Sequence, residues 1–311
     1  MTRIGIAGAG AWGMALARAA KRAGSEPVIW SRRGAVPGDF PVSGDAIVLE
    51  GADILLLTVS AQEIAVIAER LEPQIGPALP LVVCAKGIAR PEHRLLDDVL
   101  EEALPGRPVA ILSGPSFADE VAKGLPTAVT IAARDAALAE RVAAAMGSSN
   151  FRPYVSTDPV GVQLGGAVKN VIAIACGIVA GRKLGENARA ALMTRGLAET
   201  ARLGRAMGAK SETFAGLAGL GDLSLTATST SSRNFSLGFA LGQGANVIEA
   251  AAHITGVVEG VATAQAVVAL AARHKVEMPI SAAVAAIVEH GADIAQTMAG
   301  LLARPLKTET A

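Results

Sequence analysis

Aromatic side chains are scarce in this sequence: 3% of 311 residues, with a single tyrosine. That leaves no aromatic-interleaved surface of the kind that stacks on nucleic-acid bases, and no long basic run accompanies it. Net charge is absent too, with 28 basic and 28 acidic residues. The balance gives no reason to expect a polyanionic partner. Only two cysteines occur, Cys84 and Cys176, both in apolar runs and far apart. They fit reduced thiols in a cytoplasmic protein better than a disulfide. The four histidines (His93, His253, His274, His290) are scattered, none with a neighbour at metal-ligand spacing, so neither a metal site nor a histidine catalyst is expected. Internal repeats and low-complexity linkers are missing. What is abundant is apolar mass, 51% of the chain, together with alanine and glycine. A chain of this length buries a large core, more naturally as two domains than one, and small residues favour closely packed helices.

Arg3–Ala7 reads as a short buried strand. Gly8-Ala9-Gly10-Ala11-Trp12-Gly13 follows at once, then a helix to about Arg22. This is G-x-G-x-x-G in the strand–turn–helix setting that gives the pattern meaning. Its first glycine permits the tight turn, its second lets backbone approach a pyrophosphate, and its third lets helix and strand pack closely. The same stretch superficially imitates a secretion signal, but the glycine pattern explains it better. A second strand, Glu26–Trp30, ends in Ser31-Arg32-Arg33. NAD-selective sites usually carry an acid there, whereas arginines suit a 2′-phosphate. Two solvated loop arginines are the alternative.

Asp53–Val59 and Pro80–Ala85 have the nearly continuous aliphatic pattern of parallel strands covered on both faces. The latter ends at Lys86, on the carboxyl edge where open α/β sheets bind ligands. Pro108–Leu112 leads into Ser113-Gly114-Pro115-Ser116, with Ser116 placed to cap a helix over Phe117–Gly124. Strands at Thr127–Ala132 and Phe151–Val155 flank a helix from about Asp135 to Met146. The alternation then stops near Thr157-Asp158-Pro159. The expected fold is α/β: an N-terminal Rossmann-type parallel-sheet domain, 1–157, followed by an all-α C-terminal domain, 158–311.

Val160–Gly181 is long and apolar enough to cross a bilayer. It carries Gln163, Lys169 and Asn170 near its middle and lacks an aromatic belt, so a buried helix is the better reading and no stable membrane insertion is expected. Gly165 and Gly166 precede Lys169 by four and three residues and share its face. They flatten that face, so another surface or a ligand can approach the backbone. Lys169 is either a lone cation placed for chemistry or a lysine that snorkels to water at a packing seam. Asn187 is placed to cap a helix running to about Gly208. The loop Gly216–Asp222 and a Ser/Thr-rich stretch, Ser224–Ser232, follow. Ser232 reads as an N-cap, which puts Arg233 and Asn234 in the first turn of the next helix. A cation is disfavoured there unless an anion sits with it, or unless the arginine turns away into solvent. Val258-Glu259-Gly260 opens a further helix to His274. Pro279 breaks the chain before two last helices, from about Ser281 and Asp293.

With these residues laid out, the chain resembles the bacterial NAD(P)-dependent glycerol-3-phosphate dehydrogenases. The likeness rests on 8–13, Ala85-Lys86-Gly87-Ile88, 113–118, 161–171, Asn187–Leu192, Gly219–Leu223, Ser232-Arg233-Asn234 and Val258-Glu259-Gly260, in family order. One segment departs: the family's longer stretch after the second strand is compressed here to Gly34–Gly51. The resemblance implies reversible reduction of dihydroxyacetone phosphate to sn-glycerol 3-phosphate, with NADP(H) or NAD(H), supplying glycerophospholipid synthesis in the cytoplasm. It implies Lys169 as the acid/base. Lys86, Gly114, Ser116, Lys169, Asp222, Ser232, Arg233 and Asn234 would meet substrate. Gly8, Gly10, Ala11, Trp12, Gly13, Arg32, Arg33, Lys86, Ala118, Arg233, Val258 and Glu259 would meet cofactor. No nucleic acid is implied, and a homodimer stays open. A keto-acid or sugar-acid reductase of similar layout would have no use for Ser232-Arg233-Asn234. A non-catalytic NADP-binding sensor would need neither Lys86 nor Lys169.

Overall fold

A computed structural model describes residues 1–34 and 38–305; within the compressed segment after Arg33, positions 35–37 lie outside it. Among the described residues, eight strands form one sheet: β1 Arg3–Ala7, β2 Glu26–Trp30, β3 Val42–Ser43, β4 Ile54–Leu57, β5 Leu81–Val83, β6 Val109–Ser113, β7 Thr127–Ala133 and β8 Phe151–Ser156. Their order is β3-β2-β1-β4-β5-β6-β7-β8. Helices α1 (Ala11–Arg22), α2 (Ile64–Leu71), α3 (Leu96–Ala103), α4 (Ala118–Lys123) and α5 (Ala136–Met146) alternate with the strands. Apolar clusters pack on both faces of the sheet, which is why β4 and β5 are aliphatic throughout.

The expected parallel-sheet domain is present, with two details that the sequence pattern did not show. First, β7 runs antiparallel to β6, and β8 then runs parallel to β7. The six-residue α4 rises only about 9 Å, whereas five-residue β6 spans roughly 17 Å. The connection therefore does not return the chain to the starting edge, and β7 begins where β6 ends. Second, the compressed segment contributes a strand: β3 pairs with the end of β2, Ile29 opposite Val42 and Trp30 opposite Ser43. Two residues carry no readable alternation.

Helices make up the rest: α6 (Pro159–Gly181), α7 (Glu186–Ala206), α8 (Ser211–Ala215), α9 (Asp222–Ala227), α10 (Arg233–Gly242), α11 (Val247–Ala252), α12 (Glu259–Arg273), α13 (Pro279–His290) and α14 (Ile294–Leu302). α6 is the axis of this region and is buried along nearly its whole length, which explains an apolar run long enough to cross a membrane. Asp158 starts it by accepting from Gly161 N at 2.9 Å, with Pro159 in the first turn. The other Asp158 oxygen takes Lys210 N and Thr213 Oγ1, tying α8 to that end.

Small residues decide how close α6 and α10 come. A Cβ on Gly177 would stand 2.1 Å from Phe235 O, and one on Gly238 2.0 Å from Ile174 O. Gly181 and Gly242, one turn further along each helix, meet in the same way. The two backbones are in contact, so residues on α6 and α10 hold a fixed relation. Two helix starts differ from expectation. α7 begins at Glu186 with Gly185 as its cap and no side-chain capping bond, so Asn187 lies inside the first turn. Gly216–Asp222 is not an open loop: Leu217–Gly221 makes a π-helical turn that runs directly into α9.

Candidate active site

Gly8 ends β1 at φ +120°, and a Cβ on Gly13 would stand 1.9 Å from Gly8 O. The side chain of Thr58, at the end of β4, lies 2.9 Å from both Ala7 O and Gly8 O and locks the turn from below. Gly10 is different: a Cβ there would meet nothing within 4 Å. α1 starts at that residue with no side-chain cap, so its first N–H groups remain open to an anion. This glycine turn forms one wall of a cavity of about 640 Å³, to which Gly10, Ala11 and Trp12 contribute. Gly8 and Gly13 shape it from beneath. The residues fit a dinucleotide, because open space faces the second glycine while the first and third are filled by protein.

The opposite wall comes from α6, α9, α10 and α12. Lys169 donates to Asp222 Oδ1 at 2.7 Å and to Thr226 Oγ1 at 2.8 Å. Lys86, just beyond β5, donates to Asp222 Oδ2 at 2.7 Å and to Gly114 O at 2.7 Å, with Ser116 Oγ at 3.4 Å. One carboxylate, 1% exposed, thus joins two cations from the two parts of the chain. Both lysines line the cavity. Burial pulls the Lys169 ammonium down to about 8, helped by the positive charges of Lys86 and Arg233. The Asp222 charge and hydrogen bond act the other way.

The faces of Gly165 and Gly166 are filled by protein rather than ligand. A Cβ on Gly165 would lie 2.4 Å from Ala218 O in the π turn, and one on Gly166 2.5 Å from Ser113 Oγ at the end of β6. The glycines let α6 slide between the sheet edge and the turn that carries Asp222, which brings Lys169 to the cavity.

A chain of hydrogen bonds between amide groups continues across the elements. Asn170 Nδ2 donates to Lys86 O, Asn234 Nδ2 donates to Asn170 Oδ1, and Gly260 N donates to Asn234 Oδ1, each at 2.9 Å. Ser232 accepts from Phe235 N at 3.2 Å and caps α10, as its position in the sequence predicts. Arg233 follows on the exposed first turn, facing the cavity, with Gly256 packed so close that a Cβ there would be 2.8 Å from its Nη1. Glu259 lines the same space. Burial raises its carboxyl, a hydrogen bond from the Ala61 backbone and the charge of Arg233 oppose that, and Glu63 adds to it. Ala118 also lines the cavity, while Val258 caps α12 just behind Glu259.

Three expected residues are placed differently. Ser116 does not cap α4, whose N-cap Phe117 makes no side-chain capping bond. Ser116 Oγ instead donates to Gly114 O at 2.9 Å, beside the Lys86 ammonium. Arg32 and Arg33 are exposed and do not line the cavity. Arg32 is ion-paired with Glu63 from the turn after β4. Thr58, Glu63 and Thr226 were not identified from the sequence. Thr226 had a signal, since it follows Asp222 by four residues on one helix face.

Seen together, the turn built for a pyrophosphate and the bridged lysines facing it define a Rossmann-type, dinucleotide-dependent oxidoreductase. Comparison with known proteins narrows that class. Residues 42–139 match the family model described as NAD-dependent glycerol-3-phosphate dehydrogenase N-terminus, and residues 158–299 match its C-terminus counterpart. The chain is 50% identical to the glycerol-3-phosphate dehydrogenase [NAD(P)+] of Parvibaculum lavamentivorans, over 99% of this chain and 98% of that one. With the enzyme of the same name from Rhodospirillum rubrum it shares 48%, over 98% and 93%. The crystal structure of glycerol-3-phosphate dehydrogenase from Coxiella burnetii superposes with a TM-score of 0.92 at 39% identity, covering 97% of this chain and 99% of that one. The chain belongs to the NAD-dependent glycerol-3-phosphate dehydrogenase family.

Proposed function

We propose that the chain interconverts dihydroxyacetone phosphate and sn-glycerol 3-phosphate, with NADP(H) or NAD(H) as the redox partner. The observation that carries this reading is the Lys169–Asp222–Lys86 bridge set beside Arg233 on a cavity whose far wall is the glycine turn. Gly8, Gly10, Ala11, Trp12 and Gly13 hold the pyrophosphate end, and Ala118, Val258 and Glu259 stand along the remainder. A bound nicotinamide supplies the hydride for reduction and takes it back in oxidation.

The chain's own groups do the rest. As hydride reaches the ketone carbon, negative charge develops on its oxygen. Lys169 spends two of its three N–H groups on Asp222 and Thr226, which leaves the third for that oxygen. It stabilises the alkoxide and protonates it; in oxidation the neutral amine takes the proton from the hydroxyl. An ammonium held near 8 serves both directions at neutral pH. Lys86, bound to Gly114 O and beside Ser116, fixes Asp222, and Asp222 fixes Lys169. Arg233, Asn234 and the capped start of α10 under Ser232 take the substrate phosphate, which sets the carbonyl in register with the hydride donor. On this reading the cofactor part is 1–157 and the substrate part 158–311. The product is the backbone of glycerophospholipids, and the two buried thiols suit a reducing cytoplasm.

The test is purified protein with NADPH or NADH and dihydroxyacetone phosphate, against unphosphorylated dihydroxyacetone and a keto acid. Oxidation of the nicotinamide with the phosphate ester, and little with the others, supports the reading. Turnover of the keto acid alone contradicts it.

A further inference from the structure

We propose that Glu63 is a specificity-determining residue: it sequesters Arg32 in an ion pair and so tempers the preference for a 2′-phosphorylated cofactor. This rests on the dinucleotide reading of the glycine turn. The missing acid at the end of β2 makes the sequence look selective for a 2′-phosphate, with Arg32 and Arg33 both offered to it. The structure withdraws one of them. β2 and β4 are the two neighbours of β1 in the sheet. A contact between the segments leaving their carboxyl ends therefore spans the end of β1, where the glycine turn lies. Arg32, two residues past β2, and Glu63, six past β4, make such a contact.

Glu63 is also fastened on the cavity side. Ser60 Oγ donates to its second oxygen at 3.1 Å, and Ser60 lines the cavity. The Glu63 charge is felt by Glu259, another lining residue. The acid that β2 lacks is thus supplied from the next βα turn. Arg33 has no side-chain partner among the described residues and stays available. To engage a 2′-phosphate, Arg32 must give up Glu63; a cofactor without that phosphate demands nothing.

The experiment measures calorimetric binding of 2′,5′-ADP and 5′-AMP, which differ only in the 2′-phosphate, to the full chain. Melting curves confirm that each variant is folded. Glu63→Gln keeps the shape and removes the charge. It should raise the preference for 2′,5′-ADP over 5′-AMP by roughly three- to tenfold, the range between an exposed and a well-formed charge-assisted bond. The same substitution in an Arg32→Ala background should leave the preference within about twofold of Arg32→Ala alone. An unchanged preference in Glu63→Gln, or the full gain persisting without Arg32, overturns the proposal while the enzyme still binds NADPH and reduces its substrate. A wild-type chain that binds neither nucleotide nor NADPH overturns the dinucleotide reading itself, and the proposal with it.

Discussion

Lys86 and Lys169 come from the two parts of the chain, one just beyond β5 and the other from α6, yet the two oxygens of one carboxylate hold their ammonium groups, each at 2.7 Å. Two cations this close are tolerable because Asp222 lies between them, and the buried Asp222 charge is in turn balanced by the cations that meet it. Removing any one of the three has a different signature.

Asp222→Asn keeps the shape and removes the charge that binds both lysines. Losing one partner of a buried ion pair costs about 3–5 kcal/mol, so the melting temperature should fall by several degrees. The Asp222 charge also opposes the lowering of Lys169. In wild type, kcat/KM for reduction should fall as pH rises through about 8, and oxidation should rise through the same range. In Asp222→Asn both limbs should move to lower pH. Limbs that stay put would show that a group other than Lys169 titrates in the rate.

Phosphate recognition should depend on Arg233. A charge-assisted hydrogen bond contributes about 1.5–3 kcal/mol, so Arg233→Ala should lower kcat/KM for dihydroxyacetone phosphate at least tenfold. Turnover of unphosphorylated dihydroxyacetone should change much less. A parallel fall would assign Arg233 to the cofactor or the fold instead.

The glycine seam of α6 gives a stability prediction that does not involve chemistry. Gly165→Ala drives a Cβ into the Ala218 carbonyl, a backbone group with nowhere to go. It should cost about 1–3 kcal/mol in denaturant unfolding. Gly166→Ala clashes with the Ser113 hydroxyl and makes ordinary contact beyond it, and that hydroxyl has no hydrogen-bond partner of its own among the described residues. Adding Ser113→Ala should therefore restore most of its loss. Failure of the double variant to recover would mean that α6 is held off the sheet by something other than this contact.

What could be read in the sequence was local. The glycine turn, the aliphatic strands, the Ser232 cap and the long α6 each declare themselves within a few neighbouring residues. The antiparallel β7 did not, because it depends on how far a short α4 carries the chain. β3 is too brief for a pattern, and the π turn at Leu217–Gly221 reads as a loop because three of its five residues are glycine or alanine. Lys169 was legible as an anomaly, a cation in an apolar helix. Its partner was not legible from spacing, since Asp222 lies 53 residues away and is brought in by the glycine seam; only the family resemblance puts Asp222 in the same site. Glu63 was invisible for the same reason: nothing in β2 or β4 alone says that the segments after them meet.

The most direct measurement is the turnover of Lys169→Met, which keeps the stem and removes the ammonium. General acid catalysis typically contributes 10²–10⁴-fold, and kcat should fall by that much. NADPH affinity, followed by fluorescence, should stay near wild type, because the glycine turn is on the other wall. Stability is the third readout. A lysine lowered from 10.5 to about 8 by burial carries a penalty of roughly 3 kcal/mol for its charge. That penalty is full below pH 8 and fades as pH rises toward 10.5, since the folded protein then releases the proton before the unfolded chain does. Lys86 still satisfies Asp222, so near pH 7 the variant should melt no lower than wild type. A variant that turns over at the wild-type rate would contradict the account and move the proton to Lys86.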